Sequence, residues 1–233
     1  MSPIVKICGL STFSSLDAAL AAGADMVGFV FFAKSPRNVS LDEARALGEK
    51  ARGRAKIAAL TVDAPDEALG AIVEALAPDY LQLHGRETPQ RVAAIRQAHG
   101  VRTIKAIGVA AASDLDAAKD YASIADLLLF DAKAPKDAQL PGGNGVPFDW
   151  RLLADIGRER PYLLSGGLDA ANVAEAIALT GARGVDVSSG VESAPGVKDN
   201  DKIAAFVVAA RKAFNVSDTN EAIGARLRAG RVA

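Results

Sequence analysis

Cys8 and Asp131 each stand at the end of a short apolar run, where a parallel sheet would expose a reactive side chain. Cys8 closes the run Ile-Val-Lys-Ile-Cys and precedes Gly9, and Asp131 directly follows Ala-Asp-Leu-Leu-Leu-Phe. A thiol and a carboxyl group that face each other across a pocket can act as general base and general acid. Two alternatives stay open: a lone cysteine is often a small buried hydrophobe, and an aspartate at a loop entry can bond its own backbone.

Five other polar residues share the strand alternation that would direct them into the interior of a closed sheet. They are Lys6, Gln82, His84, Lys105 and Asp186. Because buried charges need partners, we expect the ammonium of Lys6 to pair with the carboxylate of Asp186. Such a pair would either serve the pocket or only fix the packing of the core. His84 ends its strand and is predicted to line the pocket.

Two loops that contain glycine and serine give the most specific indication of a ligand class. Leu164–Leu168 has the sequence Leu-Ser-Gly-Gly-Leu, and Asp186–Glu192 has the sequence Asp-Val-Ser-Ser-Gly-Val-Glu. In many α/β barrels the loops after strands seven and eight bind phosphate through backbone amides and a helix N-terminus. The pattern therefore predicts a phosphorylated ligand, and the alternative is a pair of tight turns that bind nothing.

Eight βα units are needed to bring these residues together. Short apolar runs begin near Ile4, Met26, Lys56, Tyr80, Arg102, Ala125, Pro161 and Gly184, with helical periodicity between them. Helix start and stop signals are Thr88-Pro89, Asp149, Asp169 and Gly181. Strands that alternate with helices eight times predict an α/β fold, a single-domain (β/α)8 TIM barrel. The rival fold, an open doubly wound sheet, usually has a Gly-rich first turn, and neither GxGxxG nor GxxxxGK[ST] occurs.

Two intervals are longer than one βα unit needs, and both are predicted to be mobile loops on the catalytic face. The first holds Phe32–Asn38, and the second extends from Asp131 to Phe148 with the run Pro-Gly-Gly-Asn-Gly. Such a glycine-rich run is alternatively only a permissive turn. We expect residues 1–214 to form the barrel domain and residues 215–233, which are polar, to form a short flexible or surface-docked C-terminal extension.

Composition excludes several classes of function. The 233 residues include 27 Lys and Arg against 28 Asp and Glu, scattered along the chain, so neither nucleic acid nor an acidic membrane is an expected partner. One cysteine and two histidines cannot form a disulfide or a structural zinc site. No apolar run approaches the 18 or so residues of a membrane span, and no leader is recognisable, so we expect a cytoplasmic protein.

Seven motifs occur in a fixed order along the chain. They are KICG (Lys6–Gly9), GFVFFAKSPRNVS (Gly28–Ser40), LQLHG (Leu81–Gly85), LLLFDAK (Leu127–Lys133), PGGNGVPFDW (Pro141–Trp150), LSGGLDAANV (Leu164–Val173) and GVDVSSGVE (Gly184–Glu192). With these motifs the chain resembles the phosphoribosylanthranilate isomerase family of tryptophan biosynthesis from Ile4 to Phe214. The resemblance is specific because all seven motifs occur together.

The resemblance implies an Amadori rearrangement of N-(5-phosphoribosyl)anthranilate to 1-(2-carboxyphenylamino)-1-deoxyribulose 5-phosphate, without a metal or an organic cofactor. It implies that Cys8 is the general base, that Asp131 is the general acid and that Arg37 pairs with the anthranilate carboxylate. Asp186 falls where the family has a polar interior residue close to the substrate. The implied phosphate-binding residues are Gly166, Gly167, Ser188, Ser189 and Gly190.

This chemistry makes opposite demands on the two catalytic residues. Asp131 must hold a proton near neutral pH, which partial burial would favour. Cys8 must release its proton, so its pKa should lie below the usual value of about 8.5, helped by Lys6 or by a cationic Schiff base. Two departures from the family pattern, Ala132 and Asn144, concern loop closure rather than the reaction.

Two other functions fit the same barrel. One is another phosphosugar-processing enzyme that forms a Schiff base through Lys105 or Lys133, and the other is a non-catalytic barrel that binds a phosphorylated ligand. Borohydride would trap the imine of the first, and Cys8→Ser would cost the second nothing. The sequence leaves open whether the protein is a monomer or a homodimer, and whether related aminoaldoses are substrates.

Overall fold

Eight parallel strands close into a barrel in the order of the sequence. The computed structural model describes residues 2–134, 142, 148–154, 156 and 161–229, with only the helical backbone for residues 218–229. The strands are β1 (Ile4–Cys8), β2 (Met26–Phe31), β3 (Lys56–Thr61), β4 (Tyr80–Leu83), β5 (Arg102–Val109), β6 (Leu127–Ala132), β7 (Tyr162–Leu164) and β8 (Gly184–Val187). β8 pairs with β1 and closes the ring. The predicted (β/α)8 barrel is confirmed.

Among the described residues, an α-helix follows each strand except β6. The helices are α1 (Phe13–Ala22), α2 (Leu41–Ala51), α3 (Asp66–Leu76), α4 (Pro89–His99), α5 (Asp116–Tyr121), α6 (Val173–Thr180) and α7 (Asn200–Ala229). Between β6 and β7, the described residues Trp150–Leu153 form a 3-10 turn, which Asp149 caps by accepting the amide of Arg151. The longer helix predicted after Asp149 is absent from the described part of this connection.

The helix signals in the sequence differ in how well they locate the ends. Thr88 accepts the amide of Arg91 at the start of α4, and Gly181 ends α6 in the left-handed conformation, both as predicted. Asp169 accepts the amide of Asn172 and forms a turn ahead of α6. That helix therefore begins later than Asp169 predicts.

A small antiparallel hairpin follows β8, and the sequence pattern did not indicate it. It consists of β9 (Glu192–Ala194) and β10 (Val197–Lys198). Gly196 in its turn has a φ of 82°, and a Cβ atom there would lie 2.6 Å from the carbonyl oxygen of Pro36. The hairpin is thus packed against the loop that follows β2.

Apolar side chains form an inner layer within the barrel and a larger outer layer between strands and helices. The inner layer contains Met26, Ala58, Ile104, Ala106, Leu127, Leu129 and Leu163. In the outer layer the rings of Phe130 and Tyr162 meet edge to face, with centroids 5.0 Å apart. Because Ile104 and Ala106 point inward from β5, Lys105 between them points outward. The prediction that Lys105 lies inside the barrel is wrong.

Lys105 forms a buried ion pair behind the barrel wall. Its Nζ atom lies 2.8 Å from Glu87 Oε2 and donates to the carbonyl oxygens of Leu83 and Gly85. Glu87 accepts a hydrogen bond from the amide of Gly85 in return. The pair therefore fixes the backbone on both sides of His84.

The last helix passes through the predicted boundary at residue 214. The part of α7 that packs on the barrel buries Ile203, Phe206, Ala210 and Phe214. Its backbone continues to Ala229, and residues 230–233 lie outside the described residues. A barrel domain that ends at residue 214 stays a prediction.

Most of the second predicted loop, with Asn144, also lies outside the described residues. Within the described part of the chain, no helix combines the length and the apolar character that a membrane span requires.

Candidate active site

The carboxyl ends of β1 and β6 hold the two side chains that are predicted to transfer protons. Cys8 is the last residue of β1 and Asp131 lies one residue before the end of β6, and both are buried. β1 and β6 are three strands apart around the ring, so the two side chains enter the mouth of the barrel from different sides. The structure thus places both residues at the face where barrel enzymes carry their active sites.

Gly28 in β2 leaves the space that the Cys8 sulfur occupies. A Cβ atom at position 28 would lie 2.8 Å from Cys8 Sγ and 3.3 Å from Lys6 Nζ. A larger residue would displace the thiol or the ammonium, because both are packed in the core. The glycine therefore allows these two groups to meet.

Lys6 is completely buried below Cys8 and pairs with Asp186, as predicted. The Lys6 Nζ atom is 2.8 Å from Asp186 Oδ1. Burial by itself would lower the pKa of Lys6, but the charges of Asp186 and Cys8 and their hydrogen bonds outweigh it, so the pKa is raised. Lys6 is consequently a cation at neutral pH, next to the thiol.

The pKa of Cys8 is raised, chiefly because burial disfavours the thiolate. Lys6 opposes this rise through its charge and a hydrogen bond, whereas the negative charge of Asp186 adds to it. The expectation that the pKa of Cys8 lies below its usual value is therefore wrong for the free protein. Lys6 is close enough to act on the thiol, but it only limits the effect of burial.

Asp131 contacts His84, which follows β4. The Asp131 Oδ2 atom lies 3.2 Å from His84 Nε2, and Oδ1 accepts the amide of Ala132 at 2.9 Å. On the other edge of the imidazole, Nδ1 lies 3.2 Å from the Nε2 atom of Gln82. The imidazole is thus held on both edges, by Gln82 at Nδ1 and by Asp131 at Nε2.

Arg37, in the loop after β2, reaches over the end of β1. Gly9 has a φ of 75°, and a Cβ atom there would lie 2.6 Å from Arg37 Cδ, so the side chain crosses a glycine. The Nε and Nη2 atoms donate to the two carboxylate oxygens of Glu192 at 2.7 and 2.9 Å. This bidentate pair holds the guanidinium plane in one orientation.

Two charged residues that the sequence analysis did not select complete this corner of the site. Glu192 opens β9 and Lys198 closes β10, with Lys198 Nζ 2.8 Å from Glu192 Oε1. Burial would raise the pKa of Glu192, but Arg37 and Lys198 outweigh it and the pKa is lowered. Glu192 was visible as the last residue of the motif GVDVSSGVE, but Lys198 carries no signal of its own.

The glycines predicted to bind phosphate lie in tight turns at the mouth of the barrel. Gly166 and Gly167, after β7, have φ values of 86° and 68°. A Cβ atom on Gly190 would overlap the carbonyl oxygen of Leu168. The loops after β7 and β8 are thus in direct contact, as a shared phosphate site requires.

Ser188 ties the second loop to the strand that carries Cys8. The Ser188 hydroxyl donates to the carbonyl oxygen of Cys8 at 3.1 Å, and its own carbonyl accepts from Lys198 Nζ at 2.8 Å. Ser189 opens a 3-10 turn that extends to Val191. The loop is therefore fixed from both sides.

The two lysines considered for an enzyme-bound imine are engaged elsewhere. Lys105 pairs with Glu87 outside the barrel wall, and Lys133 Nζ lies 2.6 Å from Asp114 Oδ1 with its side chain 55% exposed. Among the residues that the structure describes, no three His, Cys, Asp or Glu side chains are grouped so that they could hold a metal ion.

Comparison with known proteins places this chain in a family. The profile described as "PRAI: N-(5'phosphoribosyl)anthranilate (PRA) isomerase" matches residues 5–209. The N-(5'-phosphoribosyl)anthranilate isomerase of Rhodopseudomonas palustris (strain HaA2) is 60% identical over 211 residues, 91% of this chain and 97% of the relative. That of Nitrobacter hamburgensis is 57% identical over 96% of this chain and its own full length.

Solved structures that superpose on this chain carry the same enzyme name as its sequence relatives. Phosphoribosyl anthranilate isomerase from Thermotoga maritima superposes with a TM-score of 0.81 at 34% identity, over 91% of this chain and 100% of that one. A phosphoribosyl anthranilate isomerase in complex with reduced 1-(o-carboxyphenylamino)-1-deoxyribulose 5-phosphate superposes at 0.78 with 33% identity and the same coverage.

Proposed function

The chain belongs to the N-(5'-phosphoribosyl)anthranilate isomerase family and is an isomerase of tryptophan biosynthesis, and we propose that Cys8 and Asp131 transfer its protons. The observation that carries the proposal is the placement of both side chains at the barrel mouth, with Lys6 beside the thiol and His84 beside the carboxyl group. The reaction is an Amadori rearrangement, in which an aminoaldose becomes an aminoketose.

Asp131 is the proposed general acid. It protonates the ring oxygen of the ribose, the bond between C1 and that oxygen breaks, and a cationic Schiff base of the anthranilate nitrogen forms. His84 holds the Asp131 carboxyl in place, with Nε2 3.2 Å from Oδ2. Oδ1 accepts the amide of Ala132, so each carboxyl oxygen is positioned by a neighbour.

Cys8 is the proposed general base. Its thiolate removes the proton from C2 of the Schiff base, and the C2–H electrons neutralise the cation to give an enolamine that tautomerises to the ketone. Burial favours the protonated thiol in the free protein, so the thiol must first release its proton to solvent, and the cationic intermediate next to it favours the resulting thiolate. Lys6 favours the same charge state from below.

Substrate binding is proposed to rest on three groups around the mouth of the barrel. Arg37 pairs with the anthranilate carboxylate through its planar guanidinium. Gly166, Gly167, Ser188, Ser189 and Gly190 hold the phosphate through amides and hydroxyls. His84 and Asp186 line the pocket between these ends. The proposed steps are proton transfers and the ring opening that they assist, so the proposed mechanism uses neither a metal nor an organic cofactor.

The assembly and location of the protein are part of the proposal. A Thermotoga maritima relative is described as a dimeric phosphoribosylanthranilate isomerase from which monomers were generated. We propose that this chain likewise acts as a homodimer or a monomer, without nucleic acid or membrane. A cytoplasmic location fits its one cysteine, which is free and buried.

The test is turnover of freshly prepared phosphoribosylanthranilate, followed by the loss of its fluorescence. Removing a general acid or base typically costs about 10²- to 10⁴-fold in rate, and we expect such losses for Cys8→Ser and for Asp131→Asn. Lys133→Met, which removes an exposed partner of Asp114, is the control and should retain its rate. Full activity of Cys8→Ser, or borohydride trapping of substrate on the wild type, would overturn the assigned roles.

A further inference from the structure

Three charged side chains are buried together where the hairpin meets the loop after β2. Arg37 and Glu192 are 6% and 8% exposed, and the Lys198 side chain is 1% exposed. Glu192 Oε1 lies 2.7 Å from Arg37 Nε and 2.8 Å from Lys198 Nζ, so one carboxylate joins the two cations. Glu192 Oε2 also accepts the amide of Gly196 in the hairpin turn.

The charges of this triad do not cancel when Lys198 is protonated. Burial lowers the pKa of Lys198 and the charge of Glu192 opposes this, and two cations that share one carboxylate leave one positive charge in a desolvated corner. The neighbouring Lys6 and Asp186 neutralise each other, and Cys8 is uncharged when its thiol is protonated. Because a buried charge is costly without a partner, the arrangement favours an anion that arrives with the ligand.

The guanidinium has one edge left to receive that anion. Nε and one proton of Nη2 are committed to Glu192, and no described residue accepts a hydrogen bond from Nη1. Nη1 and the second proton of Nη2 form a fork that matches the two oxygens of a carboxylate. Arg37 can therefore hold Glu192 on one edge and a second carboxylate on the other.

We propose that Glu192 and Lys198 are positioning residues for Arg37: Glu192 fixes the guanidinium plane, and Lys198 cancels the charge of Glu192 so that Arg37 still attracts the substrate carboxylate. This rests on the proposed function, in which Arg37 binds that carboxylate. Without Lys198, the Arg37–Glu192 pair would be neutral, and the incoming carboxylate would meet a like charge.

Two ligands separate this effect from simple loss of structure. One is reduced 1-(o-carboxyphenylamino)-1-deoxyribulose 5-phosphate, and the other is the same compound made from aniline, which lacks the carboxylate. The ratio of their dissociation constants is the carboxylate preference. Lys198 also contacts Ser188 in the proposed phosphate loop, but a change in phosphate binding affects both ligands alike and leaves the ratio unchanged.

The preference should follow the net charge of the triad. In Lys198→Met the triad has a net charge of zero. We expect the carboxylate preference to fall about tenfold or more, as for the removal of one nearby charge. The double variant Glu192→Gln/Lys198→Met has the original net charge and should regain the preference to within about threefold. Its kcat for the substrate should nevertheless be about tenfold lower than that of the wild type, because Glu192 no longer fixes the guanidinium.

The outcomes distinguish a failure of the proposed role of Arg37 from a failure of the positioning proposal. If Arg37→Met leaves the preference intact, the assignment of Arg37 in the proposed function fails. If Arg37→Met removes it while Lys198→Met keeps it, or if the double variant binds no better than Lys198→Met, the positioning proposal fails. Thermal unfolding of each variant with and without inorganic phosphate checks that it folds.

Discussion

The pKa of Cys8, the proposed general base, is raised chiefly by burial and also by Asp186, whereas the charges of Lys6 and Lys198 oppose this rise. We expect Lys6→Met to raise the pKa of Cys8 further, since the charge and the hydrogen bond of the ammonium are lost while Asp186 remains. The alkaline rise of kcat/KM should move to higher pH by the same amount. The double variant Lys6→Met/Asp186→Asn should lie between the wild type and Lys6→Met.

The single cysteine of the chain makes this titration direct. Thiolate absorbance near 240 nm, with the Cys8→Ser protein subtracted at each pH, reports Cys8 alone. A pKa of Cys8 that is unchanged in Lys6→Met would mean that the ammonium does not act on the thiol.

At the scale of single residues, alternation along strands located most of the interior side chains. Cys8 and Lys6 in β1 and Asp186 in β8 were predicted, because the limits of these strands are clear in the sequence. Alternation defines two faces of a strand without saying which is interior, and both faces of β5 are largely apolar, so Lys105 was misplaced. Glu192 escaped selection because it lies beyond the end of β8, where alternation along the strand no longer predicts which way a side chain points.

Among the elements, β5 carries an ion pair whose role is structural. Lys105→Met would leave Glu87 buried without its cation, and we expect a loss of about 3–5 kcal/mol in the free energy of unfolding. Lys56→Met in β3 is the matched control, because its pair with Asp79 is 59% exposed on the lysine side and should contribute at most about 1 kcal/mol. Denaturant unfolding measures both.

A second readout connects this pair with the site. Because Lys105 bonds the carbonyls on both sides of His84, Lys105→Met should also lower kcat under conditions in which the variant is fully folded. Equal losses of stability in the two lysine variants would contradict the interpretation.

Glycines in the neighbouring helices α2 and α3 test whether helix propensity or local packing decides the effect of an alanine substitution. A Cβ atom on Gly70 in α3 would lie 4.0 Å from its nearest neighbour, the Cε1 atom of His99, so Gly70→Ala should stabilise the protein by about 0.5–1 kcal/mol. Gly48 in α2 is buried, and its Cβ would lie 2.6 Å from Leu76 Cδ1. Gly48→Ala should therefore destabilise the protein by about 1–3 kcal/mol. Thermal unfolding of both variants decides, and equal shifts would show that the α2–α3 contact is loosely packed.

The elements themselves were largely readable from the sequence. Six strands begin at the residue where an apolar run begins, because a strand buried on both faces is a continuous apolar segment. The turn ahead of α6 and the 3-10 turn at Trp150–Leu153 were not foreseen, since a capping residue marks a turn without determining whether a helix comes directly after it. The hairpin β9–β10 was missed because its strands are too short to show alternation.

For the whole molecule, the question is how much of α7 the barrel needs. The family profile ends at residue 209, and relatives matched almost completely leave part of this chain outside the match. Phe214 is nevertheless 3% exposed and packs in the outer layer, so the working barrel extends beyond the profile. The predicted boundary at residue 214 can thus be tested by truncation.

A chain that ends at Ser217 keeps every buried side chain of α7 that the structure describes, and we expect its kcat/KM and its Tm to match the full chain. A chain that ends at Lys212 loses Phe214, and removal of a buried phenylalanine side chain costs about 3–5 kcal/mol. Its Tm should fall by roughly 2–4 °C for each kcal/mol lost. If the chain that ends at Ser217 were also destabilised or inactive, residues 218–233 would belong to the folded enzyme rather than to an extension, and the predicted domain boundary would move to the end of α7.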